Sequence, residues 1–149
     1  MKDGILRIYD ADRTYKGYLT ENGIISTVGT PVKGTAYFII QDSKGVIWIA
    51  TKGDGLIRAE ATSLSGMSYK LTRYLHQEDD MYSLSDNNVY CVYEDHNGRI
   101  WAATFAGGIN YLTENEDGKV LFINHRNHLK GYPIDPCYKA RFILSLIHI

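Results

Sequence analysis

The sequence has no excess of charge of either sign and no long apolar run. Its 16 lysine and arginine residues nearly balance 17 aspartate and glutamate residues, which gives a net charge of −1. This balance provides no general attraction to nucleic acid or to an anionic membrane, so we expect no nucleic-acid partner. No apolar stretch approaches the roughly 20 residues of a membrane-spanning helix, and residues 1–10 lack the apolar centre of a cleavable signal.

Alanine-rich stretches are also few. In their place stand 12 tyrosines and 14 glycines, a composition that favours strands and turns over helices. At 149 residues the chain is long enough to bury one modest core. We therefore predict a globular all-β chain.

The chain repeats itself at a distance of 53 residues. Fainter copies flank the two main ones, since GILRIYD from Gly4 resembles GLIRAEA from Gly55, and ARFIL from Ala140 resembles AYFII from Ala36. Two full repeats therefore lie between two partial ones. The identities between the full repeats are Tyr37 with Tyr90, Asp42 with Asp95, Gly45 with Gly98, Ile47 with Ile100, Trp48 with Trp101, Ala50 with Ala103, Thr51 with Thr104, and Gly55 with Gly108.

Each full repeat is predicted to form four short strands separated by turn residues. Asp at the start and Gly at the end of the first turn suit a four-residue turn. The connections are too short for crossover helices, so each repeat is predicted to be an antiparallel meander. The predicted strands are 36–42, 46–52, 55–61 and 68–75 in the first repeat, and 89–95, 99–105, 108–114 and 120–126 in the second.

Four-stranded units that recur about every 50 residues are typical of the blades of a β-propeller. A β-sandwich is the alternative, but its architecture does not require Trp, Thr and Gly to recur at aligned positions with one period. We predict a partial β-propeller in which each Trp fills space between neighbouring blades and the glycines bend the chain into the next strand. The predicted segments are 1–35, the tail of a preceding blade and a linker; 36–88 and 89–139, each a blade and a linker; and 140–149, the start of a truncated blade.

The repeated residues resemble the two-component regulator propeller repeat, whose pattern includes D-x-x-G-x-[IL]-W-[IV]-G-T-x-x-G-G-L. Residues 89–109 match it almost throughout and residues 36–56 more loosely, and the preceding YSLSDNN resembles the family's L-S-x-N lead-in. Ala50 and Ala103 stand where the family often has Gly. The motif residues that the resemblance assigns to the blade structure are Asp42, Gly45, Trp48, Thr51, Gly55, Asp95, Gly98, Trp101, Thr104 and Gly108.

The resemblance implies a sensor. Propellers of this family form the extracytoplasmic part of hybrid two-component regulators, often in gut bacteria that respond to glycan breakdown products. The resemblance thus implies a periplasmic portion of an inner-membrane protein, with a kinase elsewhere in the parent chain. The implied partners are the remaining blades and signalling domains of that parent, an oligosaccharide ligand, and a second copy of the parent in a homodimer. A scaffold or protein-interaction propeller is the alternative, and a propeller lyase or hydrolase is the less favoured one.

No catalytic residue, cofactor or metal site is expected in this chain. Cys91 is predicted mid-strand and Cys137 in a loop, so they pair only if blade packing brings them together. His125 and His128 have a spacing that can hold a metal on a helix, but they fall at a strand end and loop, and we expect them to be solvated. The acidic run at 77–80 lacks the ligand alternation and the Gly of a calcium loop, so we expect a solvated loop there as well.

Tyrosines are the candidates for ligand contact, since aromatic faces can stack on sugars and their hydroxyls can hydrogen-bond. Tyr37, Tyr90 and Tyr93 lie within predicted strands and are expected to pack between blades. Tyr82 and Tyr132 lie in loops linking blades, where propellers often present binding surface. These two are the candidate ligand-binding residues, with a packing role as the alternative.

The third copy of the signature stops soon after Ala140. Residues 144–149, LSLIHI, stand where the acidic, glycine and tryptophan positions should follow. Leu-Ser-Leu-Ile-His-Ile is the translation of a transposon-end adaptor used in sequencing libraries. We therefore expect these six residues to be non-native and the chain to be a piece of a larger gene, which the sequence of the native locus would show.

Overall fold

The computed structural model describes residues 4–127, which form eleven strands in three antiparallel sheets. The first sheet, called the N-terminal sheet below, consists of β1 (Arg7–Tyr9), β2 (Tyr15–Leu19) and β3 (Ile25–Ser26). The second, called the first blade, consists of β4 (Thr35–Gln41), β5 (Ile47–Lys52), β6 (Leu56–Ala61) and β7 (Tyr69–Tyr74). The third, called the second blade, consists of β8 (Val89–Glu94), β9 (Ile100–Thr104), β10 (Gly108–Glu114) and β11 (Val120–Ile123).

Both blades are meanders, because their strands are hydrogen-bonded in sequence order. The register pairs Trp48 with Arg58 across β5 and β6, and Trp101 with Tyr111 across β9 and β10. The two tryptophans therefore occupy the same position in their sheets. The predicted all-β fold, a partial propeller of four-stranded antiparallel blades, is confirmed, and each strand end lies within three residues of its predicted limit. The division of the chain into blade and linker segments stays a prediction.

Apolar side chains fill the spaces between neighbouring sheets. Successive residues of a strand face opposite sides of the sheet, so β5 sends Trp48 toward the second blade and Ile49 toward the N-terminal sheet. Burying each large aliphatic side chain contributes about 1.5–3 kcal/mol, so the stacked sheets stabilise one another. The cluster between the blades includes Trp48, Ala50, Leu56, Leu84, Val89, Val92, Ile100, Ala102 and Phe122.

Two further clusters flank the cluster between the blades. The cluster between the N-terminal sheet and the first blade consists of Leu19, Ile25, Val32, Ile49 and Ile57. The cluster on the other face of the second blade consists of Cys91, Trp101, Ala103 and Ile109. Within residues 4–127, no helix has the length and apolar character needed to cross a membrane.

Candidate functional site

An aspartate closes the turn between the first two strands of the first blade. Asp42 Oδ1 accepts hydrogen bonds from the backbone N–H groups of Lys44 and Val46, both at 2.9 Å. Its other oxygen, Oδ2, accepts from the indole Nε1 of Trp48 at 2.8 Å. Gly45 has a φ of 83°, in the left-handed region that a β-carbon disfavours. The sequence spacing D-x-x-G-x-x-W follows from this geometry.

The second blade repeats this arrangement around Asp95. Asp95 Oδ1 accepts from the backbone N–H groups of Asn97 and Arg99 at 2.9 and 3.0 Å, and Oδ2 accepts from Trp101 Nε1 at 2.9 Å. Arg99 Nε also donates to Oδ2, at 2.7 Å. Burial alone would raise the pKa of the Asp95 carboxyl, but the hydrogen bonds from Trp101, Arg99 and Asn97 outweigh burial and lower the pKa from 3.8 to about 2.

An arginine lies over each tryptophan ring, but it comes from a different element in each blade. Arg58 of β6 places its guanidinium carbon 5.6 Å from the centroid of Trp48, and Arg99 of the Asp95 turn places its own 5.8 Å from Trp101. Tyr111 takes the position in β10 that Arg58 holds in β6, and its ring centroid lies 5.1 Å from that of Trp101. The repeat therefore keeps a cation over the indole while the residue that supplies it changes.

The threonine and glycine of the motif fix the next loop. Thr51 Oγ1 donates to the carbonyl oxygen of Gly55 at 2.6 Å, and Thr104 Oγ1 donates to that of Gly108 at 2.9 Å. A β-carbon on Gly55 would lie 2.1 Å from the carbonyl oxygen of Tyr74. The loop is thus closed by a buried hydroxyl on one side and requires glycine on the other.

A buried polar network in the second blade was not predicted. Asn110 Oδ1 accepts from the Ser85 N–H at 3.0 Å and from Asn124 Nδ2 at 2.9 Å, and both asparagines are fully buried. Asn110 Nδ2 donates to Ser85 Oγ at 2.7 Å, and Ser85 Oγ lies 3.1 Å from Thr104 Oγ1. Ser85 belongs to the YSLSDNN lead-in. The network therefore fastens the lead-in to the second blade.

The lead-in also joins the two blades at the end of the sheets that carries the Thr–Gly loops. The carbonyl oxygen of Asn87 accepts from the Gly55 N–H, and that of Asn88 accepts from the Phe105 N–H, both at 2.9 Å. Asp86 Oδ2 accepts from the Ala106 N–H at 2.8 Å. We call this end, formed by residues 52–55, 85–88 and 105–107, the loop face.

A charged seam joins the blades at the opposite end of the strands. Arg58 pairs with Glu60 at 3.0 Å in its own blade and with Glu114 of the second blade at 3.5 Å. Ser43 donates its N–H and its hydroxyl to the Glu94 carboxylate, at 2.8 and 2.5 Å. The cleft beside Arg58 has a volume of about 260 Å³. Arg58 is thus engaged by carboxylates from both blades.

Two equivalent tyrosines stack on each other at the loop face. The ring centroids of Tyr37 and Tyr90 are 5.0 Å apart with 26° between the ring planes, and Phe105 meets Tyr90 edge-on at 5.8 Å. The expected contact between blades is present, but Tyr37 keeps 41% of its surface exposed. Tyr93 packs against the cluster that contains Trp101. Sequence reasoning therefore missed the partly exposed aromatic stack made by the edge strands β4 and β8.

Tyr82, a candidate ligand-binding residue, lies in the connection between the blades and is 37% exposed. Its N–H donates to Asp80 Oδ1 at 2.9 Å, and its carbonyl oxygen accepts from the Phe122 N–H at 2.8 Å. The backbone is thus held by β11 while the ring stays accessible. A ligand-binding role for Tyr82 stays a prediction. Tyr132, the other candidate, lies outside the described residues.

Of the candidate cysteines and histidines, the structure describes Cys91 and His125. Cys91 is buried, as expected, whereas Cys137 and His128 lie outside the described residues. The prediction that His125 is solvated is wrong, because this residue is half-buried and its Nδ1 lies 3.0 Å from the Gly107 carbonyl oxygen. That oxygen can only accept, so Nδ1 is the donor.

The acidic run at 77–80 is mostly open to solvent. Glu78 and Asp79 are exposed, and Asp80 lies 3.6 Å from Lys119 Nζ in an ion pair. Across the part of the chain that the structure describes, no group of three or more His, Cys, Asp or Glu side chains could hold a metal ion.

The fold and these contacts define two blades of a β-propeller. Comparison with protein families identifies the repeat type of the second blade. The model of the two component regulator propeller family matches residues 83–106. This range contains Ser85 of the lead-in, the Asp95 turn with Trp101, and Thr104. The chain therefore carries a two-component regulator propeller repeat, and the predicted resemblance is confirmed.

Two crystal structures are similar over part of the chain. Both show the extracellular domain of BT4673 from B. thetaiotaomicron, described as a hybrid two component system in one case and as a one component system in the other. Sequence identity is 30% and 31%, with TM-scores of 0.46 and 0.45. Each match covers 61% of this chain and 11% of the other, so this chain spans only a small part of those proteins. The comparison with curated proteins gives no match.

Proposed function

We propose that this chain is part of the extracytoplasmic ligand-sensing propeller of a hybrid two-component regulator that responds to glycan-derived ligands. The observation that carries the proposal is the family match at residues 83–106, whose Asp95 turn and Thr104 loop recur around Asp42 and Thr51 in the first blade. In this proposal the chain has no catalytic role and serves as a rigid portion of a binding domain. It would lie in the periplasm as part of an inner-membrane protein.

The arrangement of the two blades supports this role. The blades are joined by an apolar cluster in the middle, by the Ser43–Glu94 and Arg58–Glu114 contacts at one end, and by the lead-in at the other. Because the blades are joined in this way, they move together, and a displacement caused by a ligand at the loop face of one blade also displaces the neighbouring blade. The partners in this proposal are the remaining blades and signalling domains of the parent chain, and a second copy of the parent.

The native gene tests the proposal directly. Its sequence should continue with further propeller repeats, then a membrane-spanning helix and a histidine kinase domain in the same reading frame. Deleting the gene should abolish the transcriptional response of the organism to one class of oligosaccharide and leave the responses to other classes unchanged. A native gene that ends in propeller repeats, without a signalling domain, would support the scaffold alternative instead.

A further inference from the structure

The stacked tyrosines Tyr37 and Tyr90 each occupy a β-bulge. In the first blade the pairing runs from Ala36 with Thr51 directly to Phe38 with Ala50, so Tyr37 has no partner residue across the ladder. In the second blade the pairing skips Tyr90 in the same way. A bulge turns one side chain away from the regular alternation of the strand, and bulges are frequent beside binding sites. The same irregularity at the same repeat position therefore presents one tyrosine per blade.

The stack is a contact between the blades, but it lies outside the apolar cluster that joins them. The apolar cluster between the blades is built from other residues, among them Trp48 and Val92, and it contains neither tyrosine. Tyr37 remains 41% exposed and Phe105, at the edge of the stack, 36% exposed, whereas Tyr90 is half-buried. The exposed surface of Tyr37 and Phe105 is therefore available to a ligand.

Polar groups border the rings at the loop face. Lys52 is exposed and pairs in the ladder with Thr35, two residues before Tyr37. Asp86 fixes the Ala106 N–H beside Phe105. A surface that combines ring faces with a few fixed polar groups is typical of small-molecule sites.

The chemistry of this surface favours an uncharged ligand with one apolar face. At this face Asp54 pairs with Lys33 at 3.2 Å, Asp86 accepts a hydrogen bond from the Ala106 N–H, and Lys52 is exposed, so neither sign of charge is in large excess to attract a polyion. A sugar ring has a face of C–H groups that suits an aromatic ring, and a rim of hydroxyls that suits amides, carboxylates and lysine. A neutral saccharide satisfies both requirements.

We infer that Tyr37 and Tyr90, with Phe105 at their edge, form a platform on which a ring of a neutral oligosaccharide stacks. The inference rests on the proposed sensing function and assigns it a site, which differs from the predicted ligand-binding positions Tyr82 and Tyr132. Tyr37 offers the outer, exposed face of its ring, the half-buried Tyr90 supports that ring from the second blade, and Phe105 meets Tyr90 edge-on.

The test uses the full-length protein encoded at the native locus. The probes are an array of neutral oligosaccharides (malto-, cello-, xylo-, arabino- and galacto-series) and an array of anionic ones (oligogalacturonides and chondroitin disaccharides), with titration calorimetry on any that bind. The variants are Tyr37→Ala and Tyr90→Ala, with Tyr37→Phe retaining the ring. Tyr15→Ala is the matched control, since it removes a tyrosine of similar exposure, 43%, from the N-terminal sheet.

We expect a neutral oligosaccharide to bind, and each alanine variant to lose about tenfold or more in affinity, as is usual when an aromatic anchor is removed. The affinities of Tyr37→Phe and Tyr15→Ala should stay close to that of the parent. Should an alanine variant fail to fold, the ring signal of Tyr37 in the NMR spectrum of the parent, assigned from Tyr37→Phe, should shift on adding the saccharide.

Three results would overturn the platform: folded alanine variants that bind as the parent does, binding of anionic saccharides alone, or no saccharide binding. Folded alanine variants that bind as the parent does would overturn the platform alone, whereas the absence of any saccharide binding would also count against a glycan-derived ligand. Whether a signalling domain follows the propeller is decided separately by the native gene.

Discussion

Trp101 donates its indole N–H to Asp95 Oδ2 at 2.9 Å, and 53 residues earlier Trp48 makes the same bond to Asp42 at 2.8 Å. In both blades the other carboxylate oxygen, Oδ1, accepts hydrogen bonds from backbone N–H groups of the turn. One side chain thus ties the turn to the ring that packs against the sheet. This explains why acidic, glycine and tryptophan positions recur together in the sequence.

Replacing Trp101 with Ala should destabilise the folded chain by about 3–5 kcal/mol, the usual result of emptying a buried aromatic site. The side chain is buried in the cluster with Cys91, and its loss also removes a donor from Asp95. Urea unfolding followed by circular dichroism measures the change. Trp101→Phe, which keeps most of the ring but not the N–H, should cost less. A change below about 1 kcal/mol for the alanine variant would contradict the packing role.

Asp95 should make the chain sensitive to acid. Its pKa in the folded state, about 2, is below the ordinary value of 3.8. The carboxylate therefore contributes stability that is fully present above about pH 4 and is lost as the pH falls toward 2. A shift of this size corresponds to about 2 kcal/mol. Unfolding free energies measured from pH 6 to pH 2 should show this loss, and Asp95→Asn should remove most of it. An unchanged pH profile in the asparagine variant would show that another group is responsible.

The strands, turns and blade repeat could be predicted because each depends on local sequence. Asp and Gly mark the turns, and the 53-residue identity gives the period directly. The exact register of strand pairing could not be predicted in this way, because it depends on contacts between residues that are distant in sequence. The bulges at Tyr37 and Tyr90 follow from that register, so the sequence predicted the contact of these tyrosines between the blades but not the 41% exposure of Tyr37.

The burial of Asn110 is a second feature that could not be predicted from the sequence. It stands where the first blade has Ile57, and an asparagine in a strand suggests a solvent-facing position. In the structure it is fully buried, because Ser85 and Asn124 satisfy its amide. A buried polar side chain can be recognised only once its partners are placed. The spacing between Ser85 and Asn110 is too long for any local pattern to reveal.

Asn110→Ala should destabilise the second blade by about 3 kcal/mol, because it leaves the Ser85 N–H and Asn124 Nδ2 without their acceptor at a cost of about 1–3 kcal/mol each. Hydrogen exchange at the Ser85 amide should accelerate as well. Asn97→Ala is the matched control, since Asn97 is exposed, and it should change stability by less than about 0.5 kcal/mol. Equal effects from both substitutions would argue against the network as a source of stability.

Arg13→Gly should stabilise the N-terminal sheet. Arg13 has a φ of 62° in the turn between β1 and β2, where Asp10 Oδ1 accepts from the N–H groups of Asp12 and Thr14. The equivalent positions of the other aspartate turns are Gly45 and Gly98, with φ of 83° and 74°. Relief of the left-handed conformation should contribute about 1 kcal/mol, seen as a higher melting temperature. Gly98→Ala should act in the opposite direction, and a lower melting temperature for Arg13→Gly would contradict the comparison.

The 149-residue chain should associate with itself when purified. Propellers use about four to eight blades to protect their sheets on both sides, and residues 4–127 supply three sheets, which do not close a ring. The edge strand β4 leaves Phe38 and Ile39 exposed at 41% and 48%, and exposed apolar edge strands favour pairing with other chains. Sedimentation velocity should show a mean mass that rises with protein concentration, and Ile39→Lys should reduce it because a charge on the strand opposes pairing. Leu64→Lys is the control, since Leu64 is fully exposed at the tip of the β6–β7 hairpin but outside any strand. A monodisperse monomer that melts cooperatively would contradict the prediction.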